Sequence, residues 1–229
     1  MSRFFGGCNL CGGVVIRWSP NVFGSRCVRC LSTQIHRAIG LAVDALCLPG
    51  DARVYELSSR GALFRHLRRR FRDFHFSEYF DDVPPGGIRK GIPCQDVQNL
   101  RLPSGTFDLV TSTEVFEHVP DDAKGFSEIH RVLKPGGWLI FTAPLTRNPV
   151  TVERARRFPD GRVEHLLPPE YHSDRLRGRG KVLAYRNYGT DIVDRLRGAG
   201  LNPEVLTIGS DRFMVSGTSV VTGRKMESC

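Results

Sequence analysis

Apolar residues along this chain follow two alternating rhythms. The first helical stripe is Ile35, Ile39, Ala42, Val43 and Leu46, opened by a cap at Ser32 or Thr33 and ended by Pro49 and Gly50. A strand over 53–57 and a helix over 61–72 follow, the helix burying Leu63, Leu67 and Phe71. Strands are then expected over 74–79, 92–97 and 107–113, the last rich in β-branched residues. A helix over 122–133 presents Phe126, Ile129, Val132 and Leu133 on one face. Pro135, Gly136 and Gly137 stop it before a strand over 138–142. A helix over 190–199, ended by Gly200, precedes strands over 203–208 and 213–221. Such alternation predicts an α/β fold with a doubly wound, mostly parallel sheet. Sheets of this kind bind ligands beyond the carboxyl ends of their strands.

Two stretches break the rhythm. Residues 145–188 hold Pro149, Pro159, Pro168 and Pro169 and few strand-like runs, and they follow the fifth strand. An insertion there is a candidate lid. The other stretch is the first 31 residues, where Cys8, Cys11, Cys27 and Cys30 form a C-x2-C-x15-C-x2-C pattern. That spacing suits a closed, structural four-thiolate zinc site, because each tight turn aims two sulfurs at one ion. A redox pair or free thiols are the alternatives. Residues 1–31 therefore read as a zinc-ribbon-like module, 32–50 as a linking helix that docks it, and 51–229 as the main domain. Cys47, Cys94 and Cys229 are expected as free thiols.

Composition narrows the setting. The chain has 229 residues, enough for one full domain and a small appendage. No apolar run approaches the ~20 residues of a membrane helix, and no secretory leader is evident. With the cysteine usage, this points to the cytoplasm and to no membrane partner. Net charge is +9, which suits nucleic acid, an anionic substrate or an anionic surface. Arg65, Arg68, Arg69, Arg70 and Arg72 are read as the solvated face of their helix.

Three segments carry a resemblance: 95–110 (QDVQNLRLPSGTFDLV), 113–121 (TEVFEHVPD) and 128–140 (EIHRVLKPGGWLI). They resemble class I S-adenosylmethionine-dependent methyltransferases of the type 11 branch. The resemblance implies a seven-stranded Rossmann-like sheet, S-adenosylmethionine as cofactor and methyl transfer as the reaction. The turn under the cofactor would be Glu56, Leu57, Ser58, Ser59, Arg60 and Gly61, which keeps only one of the family's spaced glycines. There Ser58 and Ser59 can offer hydroxyls, and Arg60 can meet a carboxylate. Glu78 lies where an acid grips the ribose hydroxyls. Asp96 would receive the adenine amino group, with Val97 packing on the ring or offering its N–H. Thr113 and Glu114 should face the methyl group and the acceptor.

His118 is either a general base or a structural hydrogen-bonder before the next helix. In the insertion, His165, Tyr171 and His172 belong to a polar cluster that either reads the acceptor or is a surface loop stiffened by Pro168 and Pro169. The lid is expected to close over the acceptor across residues 147–186. The acceptor is expected to be a small molecule or glycan precursor. The alternatives are RNA, contacted through the ribbon, and a non-catalytic binding or scaffold module. The sequence leaves the oligomeric state open.

Overall fold

The computed structural model describes residues 5–19, 21, 23–174 and 180–227. The N-terminal module is a three-stranded antiparallel sheet of β1 (Phe5–Gly7), β2 (Val14–Arg17) and β3 (Ser25–Cys27). Helix α1 (Gln34–Ala45) follows, with Thr33 at its N-cap. The Thr33 hydroxyl accepts from the His36 amide, and the His36 ring accepts from the Thr33 amide in return. Its stripe of Ile35, Ile39, Ala42 and Val43 is buried as expected.

The main sheet then assembles from β4 (Arg53–Glu56), α2 (Gly61–Arg70) and β5 (Asp73–Phe76). A small hairpin, β6 (Ile88–Arg89) with β7 (Ile92–Pro93), precedes β8 (Phe107–Thr113). A 3-10 turn over Phe116–His118, α3 (Asp122–Val132) and β9 (Leu133–Thr142) complete the central part. Strands β5, β4, β8 and β9 run parallel in that spatial order. The pleat sends alternate residues to opposite faces. Val54, Leu109 and Ile140 pack with α1 and α2, while Tyr55, Val110, Leu139 and Phe141 pack with α3 and the C-terminal helix.

Two strand expectations change. The stretch over 92–97 does not become a strand of the main sheet. Cys94 exchanges backbone hydrogen bonds with the preceding turn, through Gly86 N–H (2.7 Å) and Gly87 C=O (2.8 Å). Pro93 has no N–H to give a neighbouring strand. Only one parallel bridge remains there, Glu78 with Cys94. The main sheet accordingly has six strands among the described residues, not seven. Second, residues 134–137 do not separate helix from strand. They loop out within β9, between the pairings Phe107–Leu133 and Leu109–Trp138, with Gly136 at a φ of 78°.

The insertion, expected to hold few strands, folds into antiparallel pairs: β10 (Val152–Glu153), β11 (Ala155–Arg157), β12 (Val163–His165), β13 (Tyr171–Asp174), β14 (Gly180–Leu183) and β15 (Arg186–Asn187). Strand β10 pairs with β15, β11 with β12 and β13 with β14. Buried Arg186 fastens its returning limb, donating to the carbonyls of Phe116 (3.2 Å) and Pro120 (2.8 Å). Tyr188 adds a hydrogen bond to Asp122 at 2.9 Å. Helix α4 (Ile192–Gly198) and the hairpin β16 (Leu201–Ser210) and β17 (Val215–Lys225) close the chain, with β17 antiparallel to β9.

The N-terminal module is docked on this domain. Cys8, Leu10, Val15 and Cys27 share a buried cluster with Ala62 and Met214. Arg37, fully buried on α1, donates to the carbonyls of Ser32 (2.8 Å), Phe213 (2.8 Å) and Met214 (3.0 Å) and to Ser25 Oγ (2.7 Å). The arginines of α2 are more than a solvated face: Arg65 donates to the Cys30 carbonyl at 2.8 Å and Arg69 to Leu10 at 2.9 Å. No described helix is long and apolar enough to cross a membrane. Cys47 is exposed and Cys94 buried, both as free thiols, and Cys229 lies outside the described residues.

Candidate active site

Parallel strands end together, so their carboxyl ends form one edge. A cavity of about 370 Å³ opens beside that edge, walled by Leu57 after β4, Glu78 and Tyr79 after β5, and Val115 after β8. The hairpins of the insertion supply the opposite wall through Arg157, Tyr171, Lys181 and Tyr185.

Among the residues expected to hold a cofactor, Glu78, Asp96 and Val97 border the cavity. Glu78 Oε1 accepts from the Ser59 amide (2.6 Å) and hydroxyl (2.9 Å), so the acid after β5 holds the turn after β4. The Asp96 carboxylate accepts from the Gln98 amide at 2.9 Å. Gly61 has a φ of 101°, a conformation open to glycine alone at low cost. Ser58 bonds within its own turn, its hydroxyl donating to the Arg60 carbonyl at 3.2 Å, and Arg60 is exposed.

Glu56 lies beneath this surface. It is buried, accepts a hydrogen bond from Thr111, and does not border the cavity. Burial pushes its carboxyl up to about 8, with the nearby Glu78 charge acting in the same direction. A neutral carboxyl packed on a threonine is a support for the turn rather than a ligand group. Thr113 also stays outside the cavity lining, its buried hydroxyl lacking a hydrogen bond among the described residues.

The residues expected to act on the acceptor separate into two places. His118 and Tyr171 border the cavity. His165 does not: it ends β12, exposed on an outer hairpin, because the 155–165 pairing carries it away from the edge. His172 packs edge-on against His118, ring centroids 4.8 Å apart. Glu117, 3.6 Å from His172 Nδ1, pushes the imidazole up to about 9, with burial opposing and Glu170 assisting. Glu114 sits at a φ of 52°, strained for a residue with a side chain, where β8 turns into the 3-10 segment. Burial, then the Glu117 charge, push its carboxyl up to about 7.

Several lining residues carry no signal that sequence reasoning could use. Lys181 and Arg157 lie in generally basic stretches, and Tyr79 and Tyr185 in ordinary strand ends. Glu117 was visible only as the acid before His118.

Outside the cavity lining, the four cysteines gather into one cluster whose sulfurs all lie within 4.8 Å of one another. Cys8 and Cys30 approach to 3.6 Å and Cys11 and Cys27 to 3.5 Å.

Comparisons with known proteins agree with this architecture. Residues 59–141 match the family described as a methyltransferase domain. The chain is 30% identical over 130 residues to a protein of Mycolicibacterium smegmatis described as a probable S-adenosylmethionine-dependent methyltransferase, covering 53% of this chain and 46% of that one. It is 49% identical over 45 residues to the ubiquinone biosynthesis O-methyltransferase of Pseudomonas paraeruginosa, covering 20% of this chain and 19% of that one. The matches thus span less than half the length of these curated relatives. Among solved structures, an S-adenosylmethionine-dependent methyltransferase from Clostridium acetobutylicum superposes with a TM-score of 0.55 at 18% identity, covering 85% of this chain and 92% of that one. The family match thus covers residues 59–141 as a methyltransferase domain, and the superposition shows a shared Rossmann-like fold.

Proposed function

We propose that this chain transfers a methyl group from S-adenosylmethionine to a small molecule or glycan precursor held under the insertion. The observation that carries the reading is one cavity at the carboxyl edge of the parallel strands, with Glu78 and Asp96 on one wall and the insertion on the other. The residues present fit the cofactor. Two carboxylates separated along the edge suit its hydroxyl and amino groups, and Val97 offers an apolar surface to a ring. When bound, the cofactor supplies an already activated methyl group. What the chain adds is placement and exclusion of water. The insertion, anchored by Arg186 and Tyr188, supplies one wall of the reacting region. Tyr171 and His118 reach the same space and suit hydrogen bonding to an acceptor. A cleft of about 370 Å³ with the insertion as one wall is the observation that favours a small acceptor over folded RNA.

The same reading assigns structural zinc to Cys8, Cys11, Cys27 and Cys30. Four thiolates around one divalent ion leave a net negative charge. Fully buried Arg37 has no carboxylate among its hydrogen-bond partners in the described residues, and the charges of Cys8, Cys27 and Cys30 act on it. A compensating anion at the cysteine cluster explains why a guanidinium is tolerated there. With all four positions filled, the ion has a structural role. Isothermal titration with S-adenosylmethionine and S-adenosylhomocysteine tests the central claim. Saturable binding of both is expected, and absence of binding to the folded protein refutes it. Binding without transfer to any small acceptor or glycan would instead favour a scaffold role.

A further inference from the structure

The chain holds a second cluster of metal-ligating groups, apart from the cysteines. Glu117, His118 and His172 each bring a ligand atom within 4.8 Å of the others. Two come from the 3-10 turn after β8, and the third from β13 of the insertion. Glu117 is 1% exposed, and neither of its carboxylate oxygens has a hydrogen bond among the described residues. A buried carboxylate with two imidazole nitrogens 3.6 Å from one oxygen calls for a positive charge between them, which a shared metal ion or a protonated His172 supplies.

The two imidazoles are oriented for one. His118 places Nδ1 2.8 Å from the Leu183 carbonyl, which requires the proton on Nδ1, and turns Nε2 to Glu117 Oε1 at 3.6 Å. His172 does the reverse: Nε2 lies 3.2 Å from Glu170 Oε1, and Nδ1 lies 3.6 Å from the same Glu117 oxygen. In both rings the outer nitrogen is held by an oxygen and the inner one faces the carboxylate, the arrangement by which outer partners orient metal-bound histidines. A separation of 3.6 Å is long for a hydrogen bond. It is close to the ~3.3 Å edge of a tetrahedron whose ligands lie ~2.0–2.1 Å from zinc.

We propose that Glu117, His118 and His172 bind a divalent cation of the zinc type. Two nitrogens and one carboxylate oxygen favour zinc over magnesium or calcium, which prefer oxygen. Three protein ligands leave a position open, and His118, one of the three, also borders the cavity. An acceptor oxygen bound there would lose its proton more readily. That last step rests on the methyl-transfer reading; the binding of the ion does not. The ion would also tie β13 to the turn after β8, so it would hold the insertion in place.

Metal content tests this separately from the cofactor. Full-length protein, saturated with zinc and freed of excess, should hold about two ions per chain by elemental analysis. Glu117→Gln and His172→Ala should each hold about one and still bind S-adenosylmethionine. Replacing zinc with cobalt assigns the loss. The four-thiolate site gives intense near-ultraviolet charge-transfer bands, and the histidine-carboxylate site only weak visible bands. The variants should keep the first and lose the second, which also shows that they remain folded. A wild type holding a single ion that Cys30→Ser removes overturns the proposal and leaves a protonated imidazole paired with Glu117. Variants that retain both ions overturn it equally. Absence of cofactor binding with two ions present would strike the methyl-transfer reading alone.

Discussion

Replacing Glu78 by alanine is expected to weaken S-adenosylmethionine binding by about 10- to 150-fold. Glu78 borders the cavity, and its Oε1 already receives the Ser59 amide at 2.6 Å and hydroxyl at 2.9 Å. The carboxylate thus fixes the turn after β4, and on the proposed reading it also accepts from the bound cofactor. A hydrogen bond to a charged group contributes about 1.5–3 kcal/mol, and about 1.4 kcal/mol is tenfold in affinity. Losing one such bond to the ligand accounts for the range given. Glu78→Gln keeps a carbonyl oxygen for Ser59 but not the charge, so its loss should be smaller. Isothermal titration reads the affinities, and thermal unfolding separates a weakened site from a weakened fold. If folded Glu78→Ala binds within about twofold of wild type, the cofactor does not lie where this geometry places it.

Two further outcomes follow from the ribbon and from Glu56. Cys8→Ser and Cys30→Ser should each release zinc from the thiolate cluster and lower the unfolding midpoint, because metal binding and folding are coupled; a wild type that is metal-free and equally stable would contradict this. Glu56 is held near 8 in the folded protein against 4.5 as the ordinary value. Between those values the unfolded chain gives up this proton and the folded chain keeps it, so stability from this group is full below about 4.5 and declines as pH rises toward 8. Ligand-free Glu56→Gln should show a flatter decline in denaturant midpoint across that window, and an unchanged slope would show that Glu56 ionises normally.

The parts legible in the sequence are those where one physical rule dominates. Strands β4 and β8 are apolar on both faces because the sheet is covered on both, and α1 and α3 show unbroken stripes. The cysteine spacing brought its four sulfurs together because two short turns leave little else to do. The third expected strand failed where Pro93 and the turn at Gly86 and Gly87 captured the backbone of Cys94. The insertion was opaque for another reason. Its strands are two to four residues long, too short for a period-2 pattern, and their pairing is set by contacts at a distance. Arg186 shows this best: one more arginine in a basic chain, yet it anchors the insertion to the turn after β8. Glu117 and His172 are likewise 55 positions apart and meet only because that anchor holds.

Arg37 has a consequence for the order in which this protein matures. Its guanidinium donates to the carbonyl of Phe213, 176 residues further along the chain. On the ribosome, the whole cysteine module has emerged long before that carbonyl exists. Until the last hairpin emerges, the arginine's charge and the apolar patch around Leu10 have no complete seat. The nascent chain therefore passes through a stage in which a finished head waits for its own tail. Holdases that shield exposed patches would then act on newly made protein far more than on the finished molecule, and on the zinc reading so would cellular metal supply.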